Sequence, residues 1–227
     1  MKKLVIAIDG YSSTGKSSIS KIIAKQLDLI HLDTGALYRG ITYFALENCS
    51  ENQQINLPQL FSELGNIHLE FRNENGEMIL YLNNQNISKQ IREQRVSENV
   101  SLIAKQKEVR DFLLDIQRQM ADKGGVIMDG RDIGTVILPH ADLKFFLTAS
   151  VDERAKRRFL ELQQLGIAED LETVKQNLIS RDKTDSEREI APLKQAEDAI
   201  LIDNTNINKE QTIDLILLKI KEFCEIK

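Results

Sequence analysis

Five short apolar runs along the chain are typical of strands that are buried on both faces of a sheet. They cover residues 4–8, 30–32, 126–128, 143–147 and 199–202. The first run is continuous and rich in β-branched residues, whereas a half-exposed strand would alternate apolar with polar positions. The pattern therefore predicts a five-stranded sheet in which the strands are parallel and covered by other elements.

Between these runs, apolar residues recur at helical spacing. One helix is predicted from near Lys16, and another follows Asp33 and runs through Tyr38 and Phe44. Two more have apolar faces formed by Val109, Phe112, Leu113, Ile116 and Met120, and by Ile213, Ile216, Leu217, Ile220 and Phe223. Strands that alternate with helices imply right-handed crossovers. The predicted fold is thus α/β, a single domain with a five-stranded parallel sheet flanked by helices.

One stretch breaks this alternation. Ile67, Leu69 and Phe71 alternate with polar residues, and Asn75-Gly76 then gives a turn signal before residues 78–82. This pattern predicts a small antiparallel hairpin, with a third strand near Ile87. Two interpretations stay open: a packing appendage, or part of a mobile subdomain on the substrate side.

A second stretch, residues 150–192, is strongly charged and lies between two predicted strands. Its arginines are Arg154, Arg157, Arg158, Arg181 and Arg188. Glu153, Arg157 and Glu161 are spaced for ion pairs on a solvated helix face, which is one interpretation. The other is a helical lid that closes over phosphates, and a phosphate-binding loop elsewhere in the chain favours it.

Such a loop lies between the first strand and the first helix. It consists of Gly10, Tyr11, Ser12, Ser13, Thr14, Gly15, Lys16 and Ser17, and is called the phosphate loop below. Its backbone N–H groups cradle phosphates, Lys16 supplies a positive charge, and the Ser17 hydroxyl can ligate Mg²⁺. The order of strand, loop and helix predicts a nucleotide-binding enzyme.

The third strand ends in Asp129, Gly130, Arg131 and Asp132. Ligands of open parallel sheets gather at the carboxyl ends of the strands, so these side chains are expected beside the phosphate loop. A surface turn with one ion pair is the alternative, but two carboxylates and an arginine at a strand end favour a site. No role is predicted for the isolated His31, His68 and His140.

Charge and cysteine usage narrow the class of protein. The net charge of −5 argues against a general nucleic-acid-binding protein. Cys49 and Cys224 are far apart, which favours a reducing compartment. The first apolar run is too short for a signal peptide or a membrane span. The sequence predicts a cytoplasmic protein with no membrane or nucleic-acid partner, and nothing in its pattern demands more than a monomer.

The sequence resembles the bacterial cytidylate kinases, a family of nucleoside-monophosphate kinases. The segments that carry the resemblance keep the family's order across almost the whole chain; they are residues 10–18, 32–39, 101–110, 129–134, 181–188 and 191–193. The resemblance implies transfer of the γ-phosphoryl group of ATP to CMP or dCMP, with Mg²⁺ accompanying ATP. It also implies a core (1–35, 105–149 and 193–227), an acceptor-binding region that contains the insert (36–104) and a lid (150–192).

Matching positions then imply roles for individual residues. ATP would contact the phosphate loop and Ser18, with Arg157 near its base, and Ser17 would ligate the metal. The acceptor phosphate would bind Arg39, Arg131 and Arg188, and the cytosine would bind Ser101, Arg110 and Asp132. Arg181 and Asp185 would reach the sugar and phosphates, Asp33 would organise the entrance, and Thr34 and Tyr38 complete the CMP site. The residues with a catalytic role would be Lys16, Asp129, Arg131 and Arg188.

Elementary chemistry agrees with these roles. The second pKa of a phosphate monoester is about 6, so the acceptor is already an ionised nucleophile at neutral pH and needs no general base. Transfer instead requires positive charge, alignment and the exclusion of water. A carboxylate at Asp132 would accept a hydrogen bond from the amino group of cytosine and repel the oxygen of uracil.

The phosphate loop also departs from the family. Its interior is Tyr11, Ser12, Ser13 and Thr14 where Pro-Ser-Gly-Ala is common, so positive φ angles are expected only at Gly10 and Gly15. Two hydroxyls, Ser17 and Ser18, compete as the metal ligand. The alternatives are a related kinase for UMP, AMP or shikimate, and a non-catalytic ATP sensor. A sensor would not need the second set of arginines.

Overall fold

The structure, a computed structural model, describes residues 3–51 and 54–226, which form two compact units. The first unit comprises the chain up to His31 and from Lys123 onward, and the second comprises Leu32–Asp122. The finer division into core, acceptor-binding region and lid stays a prediction.

The first unit is built on a parallel sheet. The strands of this sheet are β1 (Val5–Gly10), β2 (Ile30–Asp33), β8 (Val126–Gly130), β9 (Leu143–Thr148) and β10 (Ile200–Asp203). The last two residues of β2, Leu32 and Asp33, are counted with the second unit. They lie in the order β10-β9-β1-β8-β2. Ile6 of the central strand pairs with Ile127 on one side and Leu143 on the other. The five predicted strands and the predicted fold class are confirmed, and β1 brings the phosphate loop to the middle of the sheet's carboxyl edge.

Two helices of this unit bury their apolar faces against the sheet. They are α1 (Lys16–Gln26) and α8 (Lys209–Ile226). Ile19 and Ile23 of α1 and Ile216 of α8 belong to one buried cluster with the strand residues Ile6 and Ile8. Each of these residues removes most of a side chain from water, which stabilises the fold by about 1.5–3 kcal/mol per residue. Both predicted helices are confirmed.

The charged stretch between β9 and β10 forms two helices, α6 (Val151–Gln164) and α7 (Leu171–Glu187). Side-chain oxygens cap both helices at their N-termini: Ser150 accepts a hydrogen bond from the backbone of Glu153, and Asp170 accepts one from Thr173. Such caps satisfy backbone donors that the first turn of a helix leaves without partners. The stretch is therefore helical, as expected of the proposed lid.

The second unit combines helices with small antiparallel sheets. Its helices are α2 (Thr34–Asn48), α3 (Leu57–Glu63), α4 (Gln94–Ala104) and α5 (Lys107–Ala121). Two-residue strands β3 (Ser50–Glu51) and β4 (Gln54–Ile55) follow α2. The buried cluster of this unit includes Leu37 and Ile41 of α2, Ile103 of α4 and Leu113 of α5.

The predicted hairpin is confirmed in this second unit. It consists of β5 (Leu69–Glu74), β6 (Glu77–Leu82) and a short third strand, β7 (Gln85–Asn86). Leu69 pairs with Leu82, and the turn residues Asn75 and Gly76 both have positive φ angles, 54° and 85°. Such a turn matches the twist of two antiparallel strands. The three strands are called the β-insert below.

In the part of the chain that the structure describes, no helix is long and apolar enough to cross a membrane. Cys49 is buried and Cys224 is exposed, and neither forms a disulfide. The cytoplasmic location, the monomeric state and the lack of a nucleic-acid partner stay predictions.

Candidate active site

The phosphate loop follows β1 directly, and its backbone is shaped by two glycines. A side chain at Gly10 would place its Cβ 2.0 Å from the backbone oxygen of Leu147, so the close approach of β9 requires glycine there. Gly10 and Gly15 have φ angles of 145° and 89°. The prediction that only these two residues have positive φ is wrong, because Ser13 has a φ of 60°. A small polar residue adopts this conformation at less cost than β-branched Thr14.

Lys16 is held inside the loop. Its side chain is buried, and Nζ donates to the backbone oxygen of Tyr11 at 2.6 Å and lies 3.5 Å from Thr14 Oγ1. Burial, together with the positive charge of Arg131, lowers the pKa of Lys16 well below its ordinary value. An ammonium in this setting is destabilised until an anion arrives, which suits a phosphate-binding group.

Ser17 and Asp129 are brought together where α1 begins and β8 ends. Ser17 Oγ donates to Asp129 Oδ2 at 2.6 Å, and Asp129 is buried. Ser18 Oγ is exposed and donates to the backbone oxygen of Gly15 in its own turn. Of the two serines, Ser17 therefore has the placement of a metal ligand, since hydroxyl and carboxylate oxygens are the ligands that Mg²⁺ prefers.

His31 is a neighbour of Asp129 that the sequence did not indicate. Its Nε2 lies 2.6 Å from Asp129 Oδ1, so Ser17 and His31 contact the two oxygens of one carboxylate. His31 lies on β2, which is next to β8 in the sheet. The spacing of histidines along the chain carries no sign of this contact, because it depends on strand order.

Asp9 is a second buried carboxylate that the sequence analysis missed. Its two oxygens accept hydrogen bonds from the backbone of Ile133 at 2.8 Å and Gly134 at 2.7 Å. These residues begin a single π-helical turn, Ile133–Ile137, directly after Asp132. Burial raises the pKa of Asp9 to about 7 although the backbone hydrogen bonds oppose it. Asp9 thereby fixes the chain that follows Asp132.

Arg131 connects the phosphate loop to α7. Nη2 donates to Ser12 Oγ at 2.7 Å, and Nε donates to Asp185 Oδ2 at 3.0 Å. Burial raises the pKa of Asp185, but the positive charges of Arg131, Arg181 and Arg188 outweigh it and hold that pKa below its ordinary value. The predicted grouping of Arg131 with Asp185 and the phosphate loop is thus present in the first unit.

Arg188 and Asp132 form a second pair in the same unit. Arg188 Nη2 donates to Asp132 Oδ1 at 3.2 Å, and both side chains are 5% exposed. Arg188 Nε also donates to the backbone oxygen of Ala191, a residue with a positive φ of 49°. The end of α7 is therefore held against the segment that follows β8.

Arg157 lies beside an open groove of about 640 Å³ next to the phosphate loop. Its guanidinium donates to Asn204 Oδ1 at 3.0 Å, to the backbone oxygen of Asn204 at 2.7 Å and to Glu153 at 3.1 Å. The ion pair with Glu153 follows the predicted spacing, whereas Glu161 pairs with Arg158 instead. Groove residues include Ser13, Gly15, Arg157, Asn204, Asn206 and Lys209.

Asn204 links this groove to the loop and was missed in the sequence. Its Nδ2 donates to the backbone oxygen of Thr14 at 2.9 Å, and the side chain is buried. The available signal was its position two residues after the strand run 199–202, where the carboxyl end of a parallel strand meets the site.

The remaining predicted residues lie in the second unit. Asp33 caps α2 through a hydrogen bond from Ala36 and accepts one from Arg39 Nη2 at 2.7 Å. Arg110 is buried on α5, donates to the backbone oxygen of Ala104 and lies 5.4 Å from the ring centroid of Tyr38. Thr34 is buried at the start of α2, and Ser101 is partly buried on α4. This unit thus pairs Arg39 with Asp33 and Arg110 with Tyr38.

Comparison with known proteins identifies the family. The family model described as cytidylate kinase matches residues 6–222. The cytidylate kinases of Bacillus thuringiensis strain Al Hakam and Bacillus cereus strain AH187 are each 44% identical over 216 residues, which cover 95% of this chain and 95% of each relative.

One solved structure, an uncharacterized protein from Eubacterium ventriosum ATCC 27560, has a similar fold. The TM-score is 0.50 at 12% identity, and the match covers 97% of this chain and 99% of that chain. At this identity the likeness concerns the fold alone. The family model and the curated relatives, by contrast, span nearly the whole sequence, and they confirm that this protein belongs to the cytidylate kinase family.

Proposed function

We propose that this protein transfers the γ-phosphoryl group of ATP to CMP or dCMP, giving ADP and CDP or dCDP. The observation that carries the proposal is Arg131, whose guanidinium bridges Ser12 of the phosphate loop and Asp185 of α7. A protein that only senses ATP needs one anion site. A phosphotransferase with a phosphate acceptor needs a second cationic group beside the loop, and Arg131 supplies it.

On the donor side, the backbone of the phosphate loop and Lys16 would bind the ATP phosphates, with Ser18 at the start of α1. The groove beside Arg157 would receive the rest of the nucleotide. Its position supports this role, because Asn204 is bonded both to Arg157 and to the backbone of Thr14. The part of ATP that binds in the groove would therefore be held in a fixed position relative to the phosphates in the loop.

On the acceptor side, Arg131, Arg181, Asp185 and Arg188 of the first unit would bind the CMP phosphate and sugar. In the second unit, Arg39 would bind the phosphate, and Thr34, Tyr38, Ser101 and Arg110 would contact the nucleoside. Support comes from the positive charge of this set and from the burial of Arg110 and of the Arg188 side chain, since buried arginines are costly unless an anion or a polar partner is bound.

Mg²⁺ would accompany ATP. The residues present fit it, because Ser17 Oγ and the carboxylate of Asp129 are hard oxygen ligands 2.6 Å apart at the foot of the loop. The ion would supply neutralisation of the phosphate charge. Asp129 would hold Ser17 in place, and His31 would hold Asp129.

Base choice would rest on Asp132. Its buried carboxylate is held by Arg188, so its direction is fixed before the acceptor binds. Cytosine offers an amino donor to such a group and uracil an acceptor. We expect Asp132→Ala to lose discrimination between CMP and UMP by about tenfold or more. Equal ratios of kcat/KM for CMP and UMP in the variant and the wild type would refute this role.

The test of the function is an acceptor screen. Purified protein is incubated with ATP and Mg²⁺ and with CMP, dCMP, UMP, AMP or shikimate, and ADP is measured by a coupled assay. ADP release that depends on CMP or dCMP supports the proposal. Faster turnover with one of the other acceptors would identify a different kinase, and ATP binding without turnover on any acceptor would indicate a sensor.

A further inference from the structure

Arg154 is a buried arginine that none of the roles above uses. It lies in the first turn of α6 and is 3% exposed. Nε donates to the backbone oxygen of Ala149 at 3.0 Å, and Nη1 donates to the backbone oxygen of Ser12 at 3.3 Å. Nη1 also lies 2.6 Å from Asp182 Oδ2 on α7. The guanidinium carbon is 5.2 Å from the ring centroid of Tyr11. One side chain thus contacts two loop residues, Tyr11 and Ser12, and helix α7.

Two carboxylates of α7 reach the same loop residue through arginines. Asp182 pairs with Arg154, which binds the Ser12 carbonyl, and Asp185 pairs with Arg131, which binds the Ser12 hydroxyl. The two acids are three residues apart, so they lie on one face of the helix. One face of α7 therefore holds Ser12 through two arginines, one on its carbonyl and one on its hydroxyl.

The contact with the Ser12 carbonyl has a geometric consequence. The C=O and N–H groups of a trans peptide are coplanar and point in opposite directions. Holding the Ser12 carbonyl therefore also fixes the direction of the Ser13 amide, in a residue whose φ of 60° is uncommon for anything but glycine. Backbone amides are the groups with which a phosphate loop binds its ligand.

We propose that Arg154 and Asp182 are positioning residues that hold the Ser12–Ser13 peptide of the phosphate loop in its ATP-binding orientation and tie it to helix α7. The proposal rests on the proposed function for its effect on turnover. Its effect on ATP binding does not, because that can be measured without an acceptor.

A purely stabilising role does not explain the pair well. Asp182 Oδ1 is buried and accepts no hydrogen bond from any residue in the described ranges 3–51 and 54–226. Burial also raises the pKa of Asp182, and the charge of Arg154 offsets only part of that effect. A buried ion pair with an unsatisfied oxygen adds little to stability and can often be replaced by apolar residues of similar volume.

The experiment uses that replacement. Arg154→Met/Asp182→Leu exchanges the whole pair for apolar side chains, so the melting temperature is expected to stay close to that of the wild type. The ATP dissociation constant, measured by calorimetry without CMP, is expected to rise. The kcat/KM for ATP is expected to fall about a hundredfold, the loss typical of a small misplacement of binding groups. Arg154→Lys keeps the positive charge but lacks the planar guanidinium. Its ATP dissociation constant and its kcat/KM for ATP are therefore expected to lie between those of the wild type and the double variant.

The control is a second ion pair between the same two helices. Asp152 of α6 and Lys175 of α7 are 2.7 Å apart, but they are partly or largely exposed and have no contact with the loop in the described structure. Asp152→Asn/Lys175→Met is expected to keep wild-type ATP affinity and turnover. Equal losses in this control would show that any link between the helices suffices, and would overturn the proposal.

Wild-type ATP affinity in the folded Arg154→Met/Asp182→Leu variant would also overturn it. Should that variant fail to fold, the ATP dissociation constant is measured for Arg154→Lys instead. Wild-type ATP affinity in Arg154→Lys would show that the planar guanidinium of Arg154 is not needed to hold the loop, and would overturn the proposal. The two proposals fail separately. Absence of an acceptor that supports turnover refutes the kinase function, while the calorimetric comparison still decides whether the pair positions the loop.

Discussion

Charged side chains around the phosphate loop and those on the β-insert pair in opposite ways. Near the loop, Arg131 binds a carboxylate 54 residues away and Arg188 one 56 residues away, and the second pair is 5% exposed on both sides. On the insert, Arg72 pairs with Glu70 two residues away, and both are more than a third exposed. Both regions carry arginines, but only the first contains an arginine–carboxylate pair that is almost fully buried.

This difference distinguishes charged residues that form a functional site from charged residues that only hydrate the surface. Taking an arginine and a carboxylate out of water costs several kcal/mol per ion, and their attraction repays it only in part. An exposed pair loses little hydration and gains about 0–1 kcal/mol. Buried pairs between distant segments therefore indicate a site that needs charge, whereas the local pairs of the β-insert cover the surface of a small sheet.

The largest effect is expected for Lys16. Lys16→Met keeps the length of the side chain but removes the buried charge that is proposed to bind the ATP phosphates. We expect kcat to fall about a thousandfold, as when a group that stabilises developing charge is lost. Steady-state ADP release with ATP and CMP measures it. Lys219→Met, at an exposed pair on α8, is the control and should keep wild-type kcat. A Lys16 variant within about tenfold of the wild type would contradict the assignment.

The second prediction concerns Asp9. Its pKa in the folded protein is about 7, above the ordinary 3.8, so the folded state binds the proton more tightly. The resulting stabilisation is fully present below about pH 4 and is lost as the pH rises to about 7. We therefore expect the free energy of unfolding to fall by up to about 4 kcal/mol over this range, relative to Asp9→Asn.

Urea unfolding of the wild type and Asp9→Asn at a series of pH values measures this difference. The amide of Asp9→Asn has one oxygen for the two backbone donors, Ile133 and Gly134, so this variant is expected to be less stable than the wild type at every pH. The informative quantity is therefore the slope of the free energy of unfolding with pH. Parallel curves for the two proteins would show that the pKa of Asp9 is the same in the folded and unfolded states, and would contradict this prediction.

The third prediction concerns Arg131. A lysine at this position keeps one positive charge but cannot bridge Ser12 and Asp185 at the same time. We expect Arg131→Lys to lower kcat/KM for CMP about a hundredfold through misplacement of the acceptor and the loop. Varying CMP at saturating ATP measures it. Arg72→Lys makes the same exchange on the β-insert and should leave kcat/KM unchanged. Equal losses would remove the contrast between the two regions.

Local features of this molecule could be predicted from the sequence because they depend on neighbours along the chain. The five strand runs, the turn at Asn75 and Gly76, and the placement of Lys16 and Ser17 at the start of α1 all follow from short patterns. The association of Arg131 with the loop also followed, from the rule that the carboxyl ends of parallel strands meet at one edge.

Contacts that depend on which elements become neighbours could not be predicted. His31 contacts Asp129 because β2 lies next to β8. Arg154 reaches Ser12 and Asp182 because α6 and α7 both pack near the loop. Local spacing alone was ambiguous as well: Glu161 has arginines three and four residues before it, and the structure pairs it with Arg158. Rotamers and packing decide such a choice.

The smallest effect is expected on the β-insert itself. Arg72 donates to Glu70 and Asn84 and lies 4.1 Å from the ring centroid of Tyr81. Because these contacts are exposed, we expect Arg72→Ala to lower the free energy of unfolding by only about 1 kcal/mol or less. The KM for CMP and kcat should stay at wild-type values if the insert is a packing appendage. A raised KM for CMP with an unchanged melting temperature would instead place the insert on the substrate side. In that case exposure would no longer separate the two regions, and the arginines of both would have to be counted as part of the acceptor chemistry.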